Sequence, residues 1–167
     1  MGHTAVWTGT EMIVWGGFGN GSYLNTGSRY NPITDTWLPT SVNTNVPVKR
    51  GRHTAVWTGT EVIVWGGFHM GSDLDSGGRY DPATDIWTPL SPMPTRRWTA
   101  VAAVVAGKIY VIGGRLTSPF ITVASNLDVV EEYDPVSNTW GGSGARTPMP
   151  TARSGGGWAT YNGKIYV

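Results

Sequence analysis

The sequence contains no cysteine, which excludes disulfide bonds and thiolate metal sites. Its net charge is close to zero, with 12 basic and 11 acidic residues, so no electrostatic argument favours nucleic acid or an anionic membrane as a partner. No apolar run approaches the roughly 20 residues of a membrane-spanning helix. No segment shows sustained helical periodicity. The lack of helical periodicity predicts an all-β protein. The lack of cysteine leaves the cellular compartment undecided.

The chain is instead rich in glycine and tryptophan, with 24 and 9 residues. An apolar run that ends on a glycine pair occurs at 12–17, 62–67 and 109–114, and a fourth copy begins at 164–167. Apolar residues without polar alternation predict a short strand that is buried on both faces. The glycine pair ends the strand and permits a close approach of another backbone. The pairs are Gly16 and Gly17, Gly66 and Gly67, and Gly113 and Gly114.

These runs belong to a longer internal repeat. Residues 3–39 and 53–89 are identical at 26 of 37 aligned positions, which indicates duplication. Each copy also carries a tyrosine at an Asx-Pro turn and a tryptophan seven residues later, a spacing typical of a tight hairpin. The tyrosines are Tyr30, Tyr80 and Tyr133, and the tryptophans are Trp37, Trp87 and Trp140.

We predict four strands in each unit, with units at approximately 12–61, 62–107 and 108–163. The first strand precedes the glycine pair, the second ends at the tyrosine, and the third begins at the tryptophan. The fourth is the segment 53–57 or its equivalents 99–105 and 158–161. One fourth strand at the N-terminus and one first strand at the C-terminus are left over, so we expect a lone strand at each end of the array.

These repeated sequence features resemble those of the kelch repeat, which forms one blade of a β-propeller. The resemblance rests on the glycine pair, the Tyr-Asp-Pro turn, the following tryptophan, and a Pro-Met-Pro stretch with arginine before the fourth strand, as at 148–153. It implies a single partial propeller domain over 1–167 with three complete four-stranded blades. Propellers close with 4 to 8 blades. Either missing blades of the same chain or a second copy would therefore cover the open faces.

The resemblance also suggests a binding site. Arg52, Arg97 and Arg153 each precede a fourth strand, and in kelch propellers that bind acidic peptides such arginines surround the central pocket. Ser154 resembles a position that lines that pocket. A guanidinium suits carboxylate recognition. The alternative is that the arginines tie blades together through backbone carbonyls. The segment from Arg52 to Gly66 is two residues shorter than that from Arg97 to Gly113, which predicts a changed strand-to-strand turn.

Other chemistry has less support in the sequence. His3 and His53 occupy one repeat position, which predicts structural hydrogen bonding, and the Asp73 turn lacks the last carboxylate of a calcium loop. We expect no catalytic residue, metal or cofactor.

The function expected is a non-catalytic module that binds a protein, peptide or glycan through the pocket face and the third unit's longer loop. This loop runs from Leu116 to Asn126 and contains Pro119, Phe120 and Ile121. The alternatives are part of an enzyme such as a sugar mutarotase, or a purely structural scaffold.

Overall fold

The computed structural model describes residues 1–117, 124–141 and 146–167, and this part of the chain consists of twenty β-strands joined by turns. The first ten strands are β1 (Thr4–Trp7), β2 (Met12–Trp15), β3 (Phe18–Gly19), β4 (Ser22–Tyr23), β5 (Gly27–Asn31), β6 (Thr36–Pro39), β7 (Thr54–Trp57), β8 (Val62–Trp65), β9 (Phe68–His69) and β10 (Ser72–Asp73). The others are β11 (Gly77–Asp81), β12 (Ile86–Leu90), β13 (Val101–Val105), β14 (Lys108–Ile112), β15 (Arg115–Thr117), β16 (Ala124–Asn126), β17 (Val130–Asp134), β18 (Thr139–Trp140), β19 (Ala159–Tyr161) and β20 (Lys164–Tyr166). Within the described residues we find no helical segment that could span a membrane.

The strands form three antiparallel four-stranded sheets with the same topology. Their orders are β1-β2-β5-β6, β7-β8-β11-β12 and β13-β14-β17-β18, and β19 and β20 form a further pair. In the second sheet the run before the glycine pair is buried along its whole length. Tyr80 lies opposite Trp87, as the tight turn between them predicts. The all-β fold and the three four-stranded sheets expected from the sequence are confirmed.

The sheets are offset by one strand from the units predicted in the sequence. Strand β7 pairs with β8, which follows it, with Thr54 opposite Trp65, and it is not part of the sheet before it. The expectation of a lone strand at each end is therefore corrected, because β1 pairs with β2 and β19 pairs with β20. The physical reason is the short turn between these strands, since consecutive strands joined by a tight turn form a hairpin. The unit bounds 12–61, 62–107 and 108–163 describe the period of the repeat in the sequence, and they stay a prediction.

A short hairpin that the sequence analysis did not predict follows each glycine pair. In the first sheet Phe18 pairs with Tyr23 across Asn20 and Gly21, whose φ angles are 51° and 76°. Positive φ at both central residues is typical of a type I′ turn, and Asn-Gly is its strongest sequence signal. The equivalent hairpins are β9–β10 and β15–β16.

The register places the loops on two opposite edges of the sheets. One edge carries the three hairpins and the segments that enter β1, β7 and β13, and we call it the hairpin face. The other edge carries the turns at 8–11, 58–61, 32–35, 82–85 and 135–138, and we call it the turn face. Any site built from several sheets must lie on one of these faces or between the inner strands.

Tryptophans from successive sheets pack against one another. The rings of Trp15 and Trp87 lie 5.2 Å apart, and those of Trp65 and Trp140 lie 4.9 Å apart. Trp87 is 1% exposed, whereas Trp37, at the same position of the first sheet, is 52% exposed. The difference arises because no described sheet packs on that side of the first sheet. The aromatic marks of the repeat therefore form the contact between sheets.

Candidate functional site

A chain of backbone hydrogen bonds links the four segments that enter the inner strands. The amide of Arg52 donates to the carbonyl of Gly2 at 2.7 Å, Thr99 donates to Arg52 at 2.8 Å, and Gly155 donates to Thr99 at 3.0 Å. These four residues form a rim on the hairpin face. A cavity of about 620 Å³ adjoins the rim, lined by the inner strands and by residues such as His53 and Trp57.

Each glycine pair contacts an arginine of the segment entering the next sheet. The amide of Gly67 donates to the carbonyl of Arg97 at 2.9 Å, and that of Gly114 donates to Arg153 at 2.9 Å. A side chain at Gly66, where φ is 64°, would place its Cβ 2.4 Å from the Arg97 carbonyl oxygen. Glycine is required here because both the positive φ and this close approach exclude a Cβ.

The side chain of Arg97 is buried within the third sheet. Its guanidinium donates to the carbonyl of Gly113 at 3.1 Å and lies 2.6 Å from the carboxylate of Glu131, and both side chains are fully buried. Burial lowers the pKa of Arg97, and the charge of Glu131 opposes that shift. Thr95 donates to the other oxygen of Glu131. These contacts are those of the structural alternative, in which the arginine ties segments together through backbone carbonyls.

Arg50 occupies the same repeat position as Arg97, and the sequence analysis missed it. Its guanidinium donates to the carbonyls of Gly66 and Ser76 at 2.9 and 2.6 Å, and its own carbonyl accepts from Gly17. Burial lowers its pKa to about 10. The assignment of Arg52 to this repeat position is therefore corrected. The signal was in the sequence: measured from Arg50, the distance to the next glycine pair is 16 residues, as it is from Arg97. The two-residue difference counted from Arg52 therefore disappears.

Arg153 and Ser154 lie at the equivalent point before β19. Arg153 is exposed, and its Nε donates to the carbonyl of Thr151 at 3.4 Å, as the Nε of Arg97 does to Thr95. Ser154 is half-buried and donates to the amide oxygen of Asn126 at 3.0 Å. The structure thus brings Arg52, Arg97, Arg153 and Ser154 to one face, but only Arg52 and Arg153 present exposed side chains. Their ligand-binding role stays a prediction.

Arg52 differs from the other predicted arginines in backbone and side chain. Its φ is 58°, a left-handed conformation that costs a non-glycine residue roughly 1–2 kcal/mol. Its exposed guanidinium lies over the ring of Trp98, 4.9 Å from the ring centroid. The guanidinium of Arg115 lies 5.0 Å from the same ring. Trp98 is 9% exposed, so the indole is a rigid support.

A line of aromatic side chains crosses the hairpin face. Tyr23 packs against Phe18 of its own hairpin and against Phe68 and His69 of the next, with ring centroids 5.1 to 6.3 Å apart. Phe68 in turn lies 6.1 Å from Trp98. The line joins three successive hairpin regions into one surface that ends at Arg52. Sequence reasoning missed it because the hairpins themselves were not predicted.

His53 has a structural position, as predicted. It is 4% exposed, its Nε2 lies 2.7 Å from the Thr4 hydroxyl, and its ring packs edge-on against Trp15. Burial, with smaller contributions from the charges of Arg50 and His3, lowers its pKa from 6.5 to about 3. The folded protein therefore holds this imidazole neutral between the first two sheets.

This pKa shift predicts a loss of stability in mild acid. An unfolded His53 binds a proton as the pH falls through 6.5, whereas the folded residue does so only near pH 3, so protonation favours the unfolded state throughout that interval. Between pH 7 and 5 the unfolding free energy should fall by about 2 kcal/mol more in the wild type than in His53→Gln. Urea unfolding at several pH values measures this, with His3→Gln as the control. An equal pH dependence in His53→Gln and the wild type would contradict the assignment.

The remaining predicted features have structural partners or lie outside the described residues. The Asp73 carboxylate accepts from the hydroxyl of Thr117 at 3.0 Å, which joins two hairpins. No group of three or more His, Asp or Glu residues within 1–117, 124–141 and 146–167 is placed to hold a metal ion. Pro119, Phe120 and Ile121 of the predicted long loop lie outside the described residues, and β15 and β16 flank them.

The repeated sheets, with glycine pairs at one edge and tryptophans between them, define an array of propeller blades. Over residues 1–167 the chain matches the family described as the KLHDC2/KLHL20/DRC7 Kelch-repeats domain. The chain belongs to this kelch-repeat family, which supports a protein-interaction module of the β-propeller type. It is also 38% identical over 71 residues to "Kelch-like protein 35" of Homo sapiens, a match that covers 42% of this chain and 11% of that protein's length.

Proposed function

We propose that the chain is a non-catalytic module that binds a protein or peptide through its hairpin face. The observation that carries the proposal is the aromatic line from Phe18 through Tyr23 and Phe68 to Trp98, because it makes hairpins of separate sheets into one surface. Loops on a rigid repeat scaffold are the usual place for recognition. Aromatic side chains supply large contact areas, and together with arginine they are enriched at protein interfaces.

The two faces of the sheets differ in a way that favours this choice. The turn face consists of tight turns in which several polar side chains bond within their own turn, as when the Thr58 hydroxyl donates to the carbonyl of Glu61. Others bond to the neighbouring sheet, as when Asp85 accepts from the amide of Ser41.

The hairpin face adds strands beyond those of the sheet, and aromatic contacts join its hairpins to one another. Exposed apolar residues occur on both faces, with Phe18 and Met70 on the hairpin face and Ile33 and Val136 on the turn face. The rim lies at the same face as the hairpins, and the cavity beside it extends along the inner strands as far as Trp7 and Trp57.

The test is selection from a displayed library of protein fragments, run beside a glycan array. The paired changes Phe18→Glu and Met70→Glu place charge on the hairpin face. The matched control, Ile33→Glu with Val136→Glu, changes residues of the turn face that are 88% and 94% exposed. We expect fragments to bind the wild type and the control, and to lose at least tenfold in affinity, about 1.4 kcal/mol, for the hairpin-face variant.

Three outcomes would overturn the proposal. Binding that survives the hairpin-face changes would place the site elsewhere. Binding of glycans without fragments would replace the protein partner with a sugar, and turnover of that sugar would favour the enzyme alternative. Binding of neither class would favour the scaffold alternative.

A further inference from the structure

An exposed Asn-Gly pair forms the tip of the first hairpin on the hairpin face. Asn20 and Gly21 are the two central residues of the turn between β3 and β4, and both are exposed. A Cβ added at Gly21 would meet no other described atom within 4 Å, so no neighbouring segment of the described chain crowds this peptide bond. Each strand of the hairpin has only two residues. A ladder this short at the surface opens at little cost in free energy.

The side-chain amide of Asn20 is not held by the fold. It forms no hydrogen bond with another described residue. By contrast, the amide oxygen of Asn31 accepts from the backbone of Ile33 at 2.9 Å. Asn25 also lacks such a bond, but the residue after it is Thr26, whose branched Cβ shields the backbone nitrogen. Asn20 therefore combines an unrestrained amide with a following glycine.

This combination permits an intramolecular displacement. The backbone nitrogen of Gly21 attacks the side-chain carbonyl carbon of Asn20, forms a C–N bond, loses its proton and expels ammonia, which closes a cyclic imide. Water then opens the imide at either carbonyl and gives aspartate or isoaspartate, whose backbone runs through the side-chain methylene. Glycine suits the attacking position, because it has no Cβ and readily adopts the backbone conformations that ring closure requires.

We propose that Asn20 deamidates spontaneously and that the product lowers the affinity of the hairpin face for its partner. The reaction adds one negative charge, and isoaspartate also lengthens the turn by one backbone atom, which disturbs the pairing of Phe18 with Tyr23. Tyr23 packs on Phe68 and His69 of the next hairpin, so the disturbance reaches the aromatic line. The effect on affinity rests on the proposed function, whereas the reaction itself does not.

The repeat supplies matched control residues. Met70 has the same place in the second hairpin, with a φ of 45° against 51° at Asn20, so methionine is accepted in this turn. A second Asn-Gly pair begins at Asn162, in the exposed turn between β19 and β20. Its equivalent in the third sheet is Ala106, and φ is 49° at both. Asn20→Met and Asn162→Ala therefore each remove one Asn-Gly pair by a residue that the chain already uses.

Mass spectrometry of the 167-residue chain incubated in neutral buffer tests the reaction, with fragmentation that distinguishes isoaspartate from aspartate. We expect both products to accumulate at Asn20 roughly tenfold faster than at Asn25, a difference of about 1.4 kcal/mol in activation free energy. The rate should rise with pH, because the attacking nitrogen must lose its proton. Equal rates at Asn20 and Asn25, or reaction at Asn162 without reaction at Asn20, would overturn the inference.

Binding of the selected protein fragments is then compared before and after incubation. The form modified at residue 20, separated by ion exchange, should bind roughly tenfold more weakly than the unmodified chain. Incubated Asn162→Ala should show the same loss, whereas incubated Asn20→Met should bind as it did when fresh. Asn20→Asp adds the charge without lengthening the backbone and should lie between the two forms.

The outcomes separate this inference from the proposed function. Unchanged affinity of the form modified at residue 20 would overturn the effect on binding and leave the proposed function standing. Failure of every fragment to bind the unmodified chain would overturn the proposed function and the effect on binding together. The rates measured at Asn20 and Asn25 decide the reaction in either case.

Discussion

Replacing Trp87 by alanine is expected to lower the unfolding free energy by about 3–5 kcal/mol, the range for a buried aromatic residue. Trp87 is 1% exposed and packs between Tyr80 of its own sheet and Trp15 of the sheet before it, with ring centroids 5.1 and 5.2 Å apart. Its removal leaves a cavity at the contact between two sheets. Chemical unfolding at neutral pH, followed by circular dichroism, measures the loss.

Trp37→Ala is the matched control, because Trp37 has the same repeat position and packs on Tyr30 with centroids 4.9 Å apart. It is 52% exposed, so the same change should cost less than about 1.5 kcal/mol. Equal losses at the two positions would mean that another surface covers Trp37. A loss below about 1 kcal/mol at Trp87 would contradict its place in the core.

The second large effect is expected at the buried ion pair. Glu131→Gln leaves the charge of Arg97 buried without a countercharge, which should cost about 3–5 kcal/mol of unfolding free energy. The pair is 2.6 Å apart with both side chains fully buried, and Thr95 donates a hydrogen bond to the same carboxylate. The same unfolding experiment measures the effect.

Two further variants separate charge from packing. Glu61→Gln breaks the partly exposed pair with Arg79, whose atoms lie 3.6 Å apart, and should cost less than about 1 kcal/mol. Arg97→Met combined with Glu131→Met replaces both charges by apolar groups and should cost less than Glu131→Gln alone. If the double variant is the less stable of the two, the carbonyl contacts of Arg97 rather than the ion pair dominate.

The sheets were predictable because their signals are local. The Asx-Pro turn and the tryptophan seven residues later act within one hairpin, and Tyr80 and Trp87 pair as that spacing implies. The run before each glycine pair is a separate strand that its own apolar sequence indicates. The sequence analysis placed the fourth strand of each unit in the wrong sheet, because it divided the chain by the period of the repeat. The tight turns at 8–11 and 58–61 carried the correct pairing, since a hairpin turn joins strands of one sheet.

The candidate site was less predictable because it depends on contacts between distant residues. Arg52 and Trp98 are 46 positions apart in sequence, and nothing near Arg52 indicates that its guanidinium stacks on that indole. The pairing of Arg97 with Glu131 is likewise a property of the folded third sheet. Arg50 was recoverable, because counting back from the glycine pair identifies it as the equivalent of Arg97. The aromatic line could be predicted only after the hairpins, and Asn20-Gly21 was the turn signal for the first hairpin.

The central claim is that the hairpin face is the binding surface, and hydrogen–deuterium exchange of the chain with a selected peptide tests it most directly. The account predicts slower exchange on binding at 17–24, 51–53, 67–74 and 98–99, which contain the aromatic line, Arg52 and Trp98. The turns at 8–11, 32–35, 58–61 and 82–85 should exchange as in the free chain. Slower exchange confined to those turns, with the hairpins unchanged, would contradict the account.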